Sequence, residues 1–377
     1  MMESTGANLY TVPPEFNNKR IDMVISSFEP KLSRSQCGNL VTDGHVGIVD
    51  SEGKIDVVDK KSFKVEPGMI LRVNVVLEET PTEIVAQDLP LDILYEDEHM
   101  IVINKAADMV VHPAAGNWDG TVVNALAYYL ANKSPFGSGE FVGVEGRTEE
   151  HDIDVDGTDG EAVFFRPGIV HRLDKGTTGV LVVAKTRQAL GALSEAFASR
   201  KVAKTYVAVT VGNPGKRVVI DKPIGRHPVH RQRMRVVPDP HKRNSSGMAP
   251  KDRMINPQSP SQQGRRALSF VDTMAFDGKL SVVQVRIETG RTHQIRVHLQ
   301  DRHTPIYGDE VYGLSDWNIR LAKTGINRPL LHARRLELEH PITGEHMTFL
   351  APLADDILRV SKAIWPDIGT ESNLLDR

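Results

Sequence analysis

A single carboxylate stands among basic and hydroxyl side chains near the middle of the 377-residue chain. Asp174 follows Arg172 by two residues and precedes two adjacent threonines, Thr177 and Thr178. A carboxylate held beside basic groups keeps a low pKa and is ionised at pH 7. Such a group can serve as a nucleophile, although it is a poor general acid. The alternative is structural, because Asp is also a common turn residue.

The polar residues around Asp174 lie between two apolar segments. Ile169 and Val170 precede them, and the run Val-Leu-Val-Val-Ala at 180–184 follows a glycine at position 179. A continuous apolar run of this length, bounded by glycine, predicts a buried strand. We therefore expect the polar residues to lie at the rim of a sheet, where their side chains can reach a substrate.

The segment 168–185 resembles the central motif of the RluA-type RNA pseudouridine synthases, which is close to G-x-V-H-R-L-D-x-x-T-S-G. The chain departs from it at Thr178, where Ser is usual, and so keeps a hydroxyl group. The resemblance implies that Asp174 is the catalytic carboxylate. It also implies that His171 and Arg172 contact the RNA and fill the space that the target base leaves. The matching positions are Gly168, Val170, His171, Arg172, Leu173, Asp174, Thr177 and Gly179.

Segments on both sides of this motif resemble further motifs of the family. Asn104, Lys105 and His112 match the first motif, and Lys204 and Tyr206 match the second. The resemblance implies that Tyr206 stacks on the target base or shuttles a proton. The residues of the first motif are expected to support the site without taking part in the chemistry.

A third motif is matched at 289–300, in the sequence TGRTHQIRVHLQ. The resemblance implies that Arg296 pairs with Asp174 and holds it ionised and aimed. His293 and Gln294 belong to the same motif and are expected to support the site. Two closing motifs of the family are matched at 308–313 and 330–333.

Positive charge is concentrated in one segment, although the chain as a whole carries a net charge of −3. Between positions 216 and 253 there are eleven Lys and Arg residues against three acids. Screening confines the field of such a patch to about 8–10 Å at physiological salt, so the local charge matters more than the total. In the family the corresponding loop grips the RNA, which implies RNA contacts for Arg226, Arg231, Arg233 and Arg235.

Residues 17–76 resemble an S4-like RNA-binding module. The segment has helical periodicity beginning near Ile21, and later a turn followed by an alternating strand. The resemblance implies that Arg20, Lys31 and Arg34 contact RNA phosphates, which positions a protein without reading sequence. The alternative is that these basic residues only solvate a helix face.

The resemblance covers most of the chain and implies an α+β fold. A catalytic domain is expected on a long, mixed, mostly antiparallel sheet with a central cleft, preceded by a small α/β module. Apolar runs at 93–95, 100–103 and 109–111 predict strands, and 121–126 predicts the start of a helix. The expected divisions are the S4-like domain at 17–76, a linker at 77–89 and the catalytic domain at 90–365, with an acidic insert at 133–166 and a basic loop at 226–265.

The composition is that of an ordinary globular protein, with 40% hydrophobic and 25% charged residues. The sole cysteine, Cys37, excludes an internal disulfide and a cysteine zinc cluster. An acidic string at 152–157 resembles a calcium loop, but no acid stands at 163 to complete it, so we expect no metal site. Without a bilayer-long apolar run or a secretory pattern, we expect an intracellular protein in the cytoplasm or an organelle, with a plastid as one option.

The chemistry of the family needs one carboxylate and no cofactor. Conversion of uridine to pseudouridine breaks the N1–C1′ bond, turns the base and rejoins it through C5, without gain of atoms or redox change. The base must first leave its stack. We therefore expect ribosomal or transfer RNA as the partner, no cofactor, no membrane, no obligate protein partner and a monomeric enzyme.

Two other functions remain open. A nucleoside N-glycosidase would break the same bond, but glycoside hydrolysis generally uses two carboxylates and the motifs supply one. A non-catalytic RNA-binding or ribosome-assembly factor would be expected to lack Asp174, Tyr206 or Arg296, and all three are present. Incubation with RNA followed by nucleoside analysis separates the three functions, since the product is pseudouridine, free uracil or neither.

Overall fold

The computed structural model describes residues 7–30, 32, 34–75, 84–113, 117–136, 168–230, 233–238 and 264–369. The chain divides into two compact units. The first contains the described residues up to position 75, and the second contains all those from position 84 onward. Most of the acidic insert and the tip of the basic loop, 137–166 and 239–263, therefore lie outside the described residues.

The first unit is a four-stranded antiparallel sheet with two helices, and its strands follow the order β1-β4-β2-β3. Its core is formed where Ile21 and Ile25 pack with Cys37 and Leu71. The helical periodicity that begins at Ile21 thus describes the buried face of the first helix. The elements are β1 (Asn8–Thr11), α1 (Ile21–Phe28), α2 (Arg34–Thr42), β2 (Val46–Val49), β3 (Ile55–Val57) and β4 (Ile70–Val73), with a 3-10 helix at Pro14–Phe16.

The second unit is built on a nine-stranded mixed sheet, with a separate two-stranded hairpin. The strands are β5 (Asp92–Glu96), β6 (Met100–Lys105), β7 (Thr178–Ala184), β8 (Ala203–Val211), β9 (Val218–Asp221), β10 (Ile224–Arg226), β11 (Met234–Val236), β12 (Leu268–Phe276), β13 (Leu280–Ile287), β14 (Leu331–Glu339) and β15 (His346–Leu350). The helices are α3 (Val122–Asn132), α4 (Arg187–Ala198), α5 (Gln294–Asp301), α6 (Ser315–Ala322) and α7 (Asp355–Ile364), and a 3-10 helix follows at Pro366–Gly369.

The large sheet has the strand order β5-β6-β7-β14-β8-β13-β12-β9, and β15 pairs with β14 off this path. Among the described strands, β7 and β14 form the one parallel pair, and the others are antiparallel. The mixed, mostly antiparallel sheet of an α+β fold, predicted from the sequence, is thereby confirmed. The hairpin of β10 and β11 stands apart from this sheet.

Helices cover both faces of the large sheet. Leu126 of α3 and Leu299 of α5 share a buried cluster with Leu181 of β7 on one face. On the opposite face, Leu193 of α4 packs in a second cluster with Val182. Consecutive residues of a strand point to opposite faces, so a strand covered on both sides is apolar throughout. This explains the uninterrupted apolar run at 180–184 and confirms the buried strand predicted there.

The two parallel strands meet over a very short distance. Thr178 lies opposite His332 and Gly179 lies opposite Ala333, and from Arg335 onward β14 pairs with β15 instead. We call these four opposed residues the β7–β14 seam. They join β5, β6 and β7 to the rest of the sheet, and the segment with Asp174 leads directly into them.

Gly179 is required at the seam. Its φ is +111°, and a Cβ at this position would stand 2.2 Å from the carbonyl oxygen of Ala333. We expect Gly179→Ala to lower the free energy of unfolding by at least about 3 kcal/mol, because backbone strain adds to overpacking. Urea unfolding followed by circular dichroism measures this loss.

Gly278 supplies the matched control, because its φ is +97° and its missing Cβ would meet no atom within 4 Å. Gly278→Ala should therefore cost only the backbone strain, about 1 kcal/mol. Equal losses for the two variants would show that close approach at the seam contributes nothing.

The strand predicted at 109–111 is wrong. The carbonyl oxygens of Val110 and Val111 accept hydrogen bonds from the backbone N–H groups of Val122 and Val123, in the first turn of α3. These bonds occupy backbone groups that a sheet would have used, and satisfy N–H donors that have no partner within the helix. The helix start predicted at 121 is confirmed, since Thr121 caps α3.

Part of the predicted linker belongs to the second unit and packs on α3. In the described stretch 84–89, the carbonyl oxygen of Val85 accepts a hydrogen bond from the side chain of Asn124, 2.8 Å away. The side chain of Gln87 accepts one from the backbone N–H of Gly120 at 2.7 Å. This stretch is thus held on the N-terminal end of α3. None of the described helices is long and apolar enough to cross a membrane.

Candidate active site

Asp174 is presented by a tight turn that leads into β7. Its carbonyl oxygen accepts a hydrogen bond from the backbone N–H of Thr177, and the N–H of Gly176 donates to Ala107. The side chain of Asp174 is 18% exposed, whereas Leu173 beside it is buried. The turn therefore leaves one carboxylate partly exposed beside buried apolar residues, just before β7 begins.

Arg296, on α5, holds this carboxylate. Its Nη1 donates to Oδ2 of Asp174 over 3.0 Å. The other edge of the guanidinium faces Asp309, with Nε donating to Oδ2 over 2.6 Å and Nη2 donating to Oδ1 over 3.0 Å. A guanidinium presents its donors in a rigid fork, so two bonds to Asp309 fix the direction of the third toward Asp174.

Asp309 was not among the residues expected to form the site. It is fully buried, and its Oδ1 also accepts hydrogen bonds from the backbone N–H groups of Val311 and Tyr312. These donors stabilise its charge and fix its orientation. The only sequence signal was its position in the segment 308–313, which matches a closing motif of the family but carries no assigned role.

His293 and Tyr312 enclose the same carboxylate. Nε2 of His293 lies 3.9 Å from Oδ2 of Asp174, and Nδ1 of the same ring lies 2.8 Å from the hydroxyl of Tyr312. Tyr312 also accepts a hydrogen bond from the backbone N–H of Met234 in β11, 2.8 Å away. His293 has a φ of +56°, an uncommon conformation for this residue that aims its ring at the site.

The charges around Asp174 keep it ionised. Burial raises the pKa of the Asp174 carboxyl, but the nearby charges of His293, Arg296 and Arg172 and the hydrogen bond from Arg296 more than offset it, so the net pKa is below its usual value. Burial also lowers the pKa of His293, so its ring carries the charge that acts on Asp174 only at acidic pH and is mostly neutral at pH 7. Arg296 is therefore the main source of the stabilising charge.

Residues 99–301 match the family model described as RNA pseudouridylate synthase. The chain belongs to this family. A relative from Zymomonas mobilis, called ribosomal large subunit pseudouridine synthase D, is 35% identical over 94% of this chain and 96% of its own. A protein of the same name from Escherichia coli is 34% identical over 97% of each chain.

Solved structures give a weaker likeness. The structure titled human RNA pseudouridylate synthase domain containing 4 has 23% identity and a TM-score of 0.49 over 71% of this chain and 90% of its own. The full-length sequence matches are the stronger finding. They confirm the predicted family, and with it the predicted enzyme class: the chain is an RNA pseudouridine synthase, and RNA is its partner.

Tyr206 lies in β8 of the synthase, opposite Ala333 and Val285. Its ring is buried, and its hydroxyl has no hydrogen-bond partner among the described residues. Burial, and secondly the charge of Asp174, raise the pKa of this phenol well above its usual value. Tyr206 thus presents a neutral aromatic ring on the side of β8 that faces Asp174.

The first-motif residues of the synthase hold the turn beside Asp174. Lys105 is 1% exposed, and its Nζ donates to the carbonyl oxygens of Ala106 and Met109 over 2.8 and 2.7 Å. Burial lowers its pKa to about 8, against the opposing effect of Asp174. Asn104 donates to Asp92. His112 is half-buried and follows Val111, whose carbonyl oxygen accepts a hydrogen bond from the first turn of α3.

The remaining supporting residues stabilise the loop before α5 and the β7–β14 seam. Gln294 accepts hydrogen bonds from the hydroxyl of Thr289 and the N–H of Arg291, which fixes the loop before α5. Thr178 lies 2.8 Å from Nδ1 of His332 across the β7–β14 seam. Thr177 is buried in the turn after Asp174.

His171 does not join this group. Its Nε2 accepts a hydrogen bond from the backbone N–H of Val182, 3.0 Å away, and its ring stacks on Phe197 with 4.6 Å between centroids. Burial lowers its pKa to about 3, so the ring is neutral. The RNA contact expected for His171 stays a prediction, and in the RNA-free structure its ring packs between β7 and α4. Arg172, by contrast, is exposed and close enough to lower the pKa of Asp174.

The structure places part of the predicted RNA-binding set. Arg226 and Arg235 lie on the hairpin of β10 and β11, and Arg233 is exposed just before β11. Arg231 and, in the first unit, Lys31 lie outside the described residues. The side chains of Arg20 and Arg34 are 46% and 53% exposed, and both contact the buried carboxylate of Asp22.

Proposed function

We propose that this synthase isomerises uridines of large-subunit ribosomal RNA, with Asp174 as the catalytic carboxylate. The observation that carries the proposal is the clamp in which buried Asp309 fixes Arg296, which in turn holds Asp174 ionised at the end of β7. An ionised carboxylate with a fixed direction is suited to nucleophilic or basic attack on the ribose. The names of the relatives support ribosomal RNA rather than transfer RNA as substrate.

The reaction can be followed atom by atom. The N1–C1′ bond breaks, the freed base turns, and a C5–C1′ bond forms; C5 loses a proton and N1 gains one. The exchange is internal to the nucleotide, so the reaction needs no cofactor. The low pKa of Asp174 keeps its carboxylate ionised at the start of the reaction. Of the two carboxylates that Arg296 binds, Asp174 is partly exposed and Asp309 is fully buried, so one carboxylate is available to substrate. This supports isomerisation over hydrolysis, which generally uses two.

The target base has to leave the helix before Asp174 can reach its ribose. Arg172, exposed beside the carboxylate, is placed to occupy the vacated position in the stack. Arg226, Arg233 and Arg235 on the hairpin would contact phosphates. The hydrogen bond that Tyr312 accepts from Met234 couples that hairpin to His293. RNA bound by the hairpin would thus be positioned relative to the active site through these hydrogen bonds.

Tyr206 is best suited to stacking on the base. A proton shuttle works best when its pKa lies near the operating pH, whereas the pKa of Tyr206 is raised further from it. We expect Tyr206→Phe to retain the single-turnover rate within about tenfold. Tyr206→Leu removes an aromatic contact worth about 1–3 kcal/mol per base, so its rate should fall further. A Phe variant as slow as the Leu variant would instead assign proton transfer to the hydroxyl.

The two compact units support a division of labour. We assign RNA capture to an S4-like domain at 17–76 and catalysis to a domain that spans 90–365. A chain shortened to residues 84–377 keeps the contacts of 84–89 with α3 and is large enough to bury its own core. We expect it to fold with a nearly intact rate on saturating RNA and an apparent affinity lower by about 10²-fold, through lost avidity.

This prediction is measured as the half-saturating RNA concentration on two substrates. The loss should be larger for long structured RNA than for a short stem-loop that reaches only the catalytic unit. In the full chain, Arg20→Gln combined with Arg34→Gln should reproduce part of it. Loss of the saturated rate with unchanged affinity would place the first unit within the active site.

Substrate and product are tested together. The enzyme is incubated with large-subunit ribosomal RNA, small-subunit ribosomal RNA and transfer RNA, and the nucleosides are then separated by mass. Pseudouridine in the large-subunit RNA alone is the expected result. Free uracil would indicate an N-glycosidase, and unchanged nucleosides would indicate a binding factor.

We assign the active form to a monomer in an intracellular compartment, the cytoplasm or an organelle.

A further inference from the structure

Lys204 is a buried lysine that the reaction described above does not use. It lies in β8 opposite Ile287 and Leu336, and only 8% of its surface is exposed. Residues two apart in a strand point to the same face, so Lys204 shares the face of Tyr206 about 6.6 Å away along the strand. Its ammonium group is thus within reach of the region where the target nucleotide would lie.

Among the described residues, no carboxylate contacts Lys204. Nζ lies 5.5 Å from the centre of the Phe197 ring, and 4.0 Å from the position that a Cβ on Gly290 would occupy. Across the described part of the chain, Lys204 has neither a hydrogen-bond acceptor nor a carboxylate partner. Burial first, and then the charges of Arg200 and Arg291, lower its pKa to about 8.

Two other buried lysines have oxygen partners. Lys105 donates to two backbone carbonyl oxygens, and Lys185 lies 2.6 Å from a carboxylate oxygen of Glu96. A buried charge is ordinarily paired or hydrogen-bonded, because its desolvation is costly. Lys204 departs from this rule in the presence of two further cations, which points to an anion that arrives from outside the chain.

The backbone holds both neighbouring cations in place. Arg200 follows α4 with a φ of +61°, and its N–H donates to the carbonyl oxygen of Phe197. This position after a helix usually carries glycine, so an arginine is retained there at an energetic cost. Arg291 lies in the loop before α5, where its N–H donates to Gln294 over 3.0 Å. That loop continues through His293 into α5, which carries Arg296.

We propose that Lys204, Arg200 and Arg291 form a binding site for a phosphodiester group of the RNA next to the target uridine. The proposal rests on the proposed function, since the anion is taken to be part of the RNA substrate. Lysine and arginine are the side chains that bind phosphate oxygens, and Gly290 leaves open the space beside Nζ. In the RNA-free protein, the cation–π contact with Phe197 would hold the ammonium group in position. On binding, an RNA phosphate would replace the water around that group.

The test measures RNA affinity and protein stability on the same variants. Lys204→Met keeps the length of the side chain and removes its charge. RNA affinity should fall, and the slope of its logarithm against the logarithm of salt concentration should decrease by about 0.7, the value for one single-strand phosphate contact. The melting temperature of the RNA-free protein should stay the same or rise, because an unpaired buried charge has been removed.

Two further variants complete the design. Arg200→Gly removes a cation and relieves the backbone at a positive φ, so it too should weaken RNA binding and raise the melting temperature. Lys279→Met, in the exposed turn between β12 and β13, is the matched control and should change neither quantity. Should Lys204→Met fail to fold, the Arg200→Gly result decides the question alone.

A lower melting temperature with an unchanged salt slope in Lys204→Met and Arg200→Gly would overturn the proposal, because it is the result of a purely structural role. The result for the wild-type enzyme distinguishes failure of the phosphate site from failure of the proposed function. If wild type forms pseudouridine in large-subunit RNA while both variants bind RNA as it does, the phosphate site alone is rejected. If wild type forms none, the proposed function itself fails.

Discussion

Replacement of Asp174 by Asn is expected to abolish pseudouridine formation while the protein still folds and binds RNA. Asn keeps the size of the side chain and an oxygen that can accept the bond from Arg296, but it is uncharged and cannot serve as nucleophile or base. We expect the affinity for RNA to change by less than about 1 kcal/mol, the scale of a surface substitution. Single-turnover assays with nucleoside analysis measure the first quantity, and filter binding measures the second.

The control for this variant is Asp301→Asn. Asp301 pairs with Lys222 at the surface, so its loss removes a carboxylate without touching the clamp and should leave the rate unchanged. Turnover by the Asp174→Asn protein, with mass spectrometry excluding deamidation back to Asp, would show that the carboxylate is dispensable.

The same variant tests the electrostatics of the site. The folded-state pKa of Asp174 lies below the unfolded value of about 3.9, so the stability it contributes is present above that pH. It is lost as the pH falls through the folded pKa. The free energy of unfolding of wild type should therefore decline more steeply below about pH 4 than that of Asp174→Asn. Parallel declines would mean that the carboxylate is not paired in the folded state.

Arg296→Ala should be the most destabilising substitution in the active site. It leaves Asp309, which is fully buried, and Asp174 without their shared counter-charge. Removal of one partner of a buried ion pair costs about 3–5 kcal/mol, and turnover should fall with it. Arg296→Lys should restore only part of both, because a point charge cannot bridge two carboxylates as the fork does. Urea unfolding and single-turnover rates measure the two effects.

A second arginine allows a matched comparison. Arg328 also donates two hydrogen bonds to one carboxylate, that of Asp356, but the Asp356 side chain is 24% exposed whereas Asp309 is fully buried. Arg328→Ala should therefore cost less than Arg296→Ala. Combining Arg296→Met with Asp309→Asn should recover stability relative to Arg296→Met alone, since one buried charge is neutralised. Equal losses at Arg296 and Arg328 would argue that burial does not set the strength of the clamp.

The motif around Asp174 illustrates what the sequence could predict. The buried strand after it followed from a continuous apolar run, and the pairing of Arg296 with Asp174 was implied by the family's motifs. Asp309 could not be found in this way, because its importance depends on the distance to Arg296 in the fold and on two backbone donors. Nothing in the residue types of its segment encodes either one.

The packing of His171 on Phe197 could have been anticipated from simple geometry. In an extended segment successive side chains alternate between two sides. His171 and Leu173 then share one side and Arg172 and Asp174 the other; in the structure Leu173 is buried and Arg172 is exposed. The strand expected at 109–111 failed because its apolar residues serve to bury the start of a helix, and composition does not distinguish the two uses.

The β7–β14 seam has a consequence for how the chain folds while it is being synthesised. β14 lies between β7 and β8 in the sheet, yet in the sequence it comes after nearly all the other strands. While a ribosome is still extending the chain toward residue 331, the facing edges of β7 and β8 have no partner strand, and such edges invite pairing with other chains. A nascent chain stalled before β14 should therefore be prone to aggregate and depend on chaperones until its final segment is released.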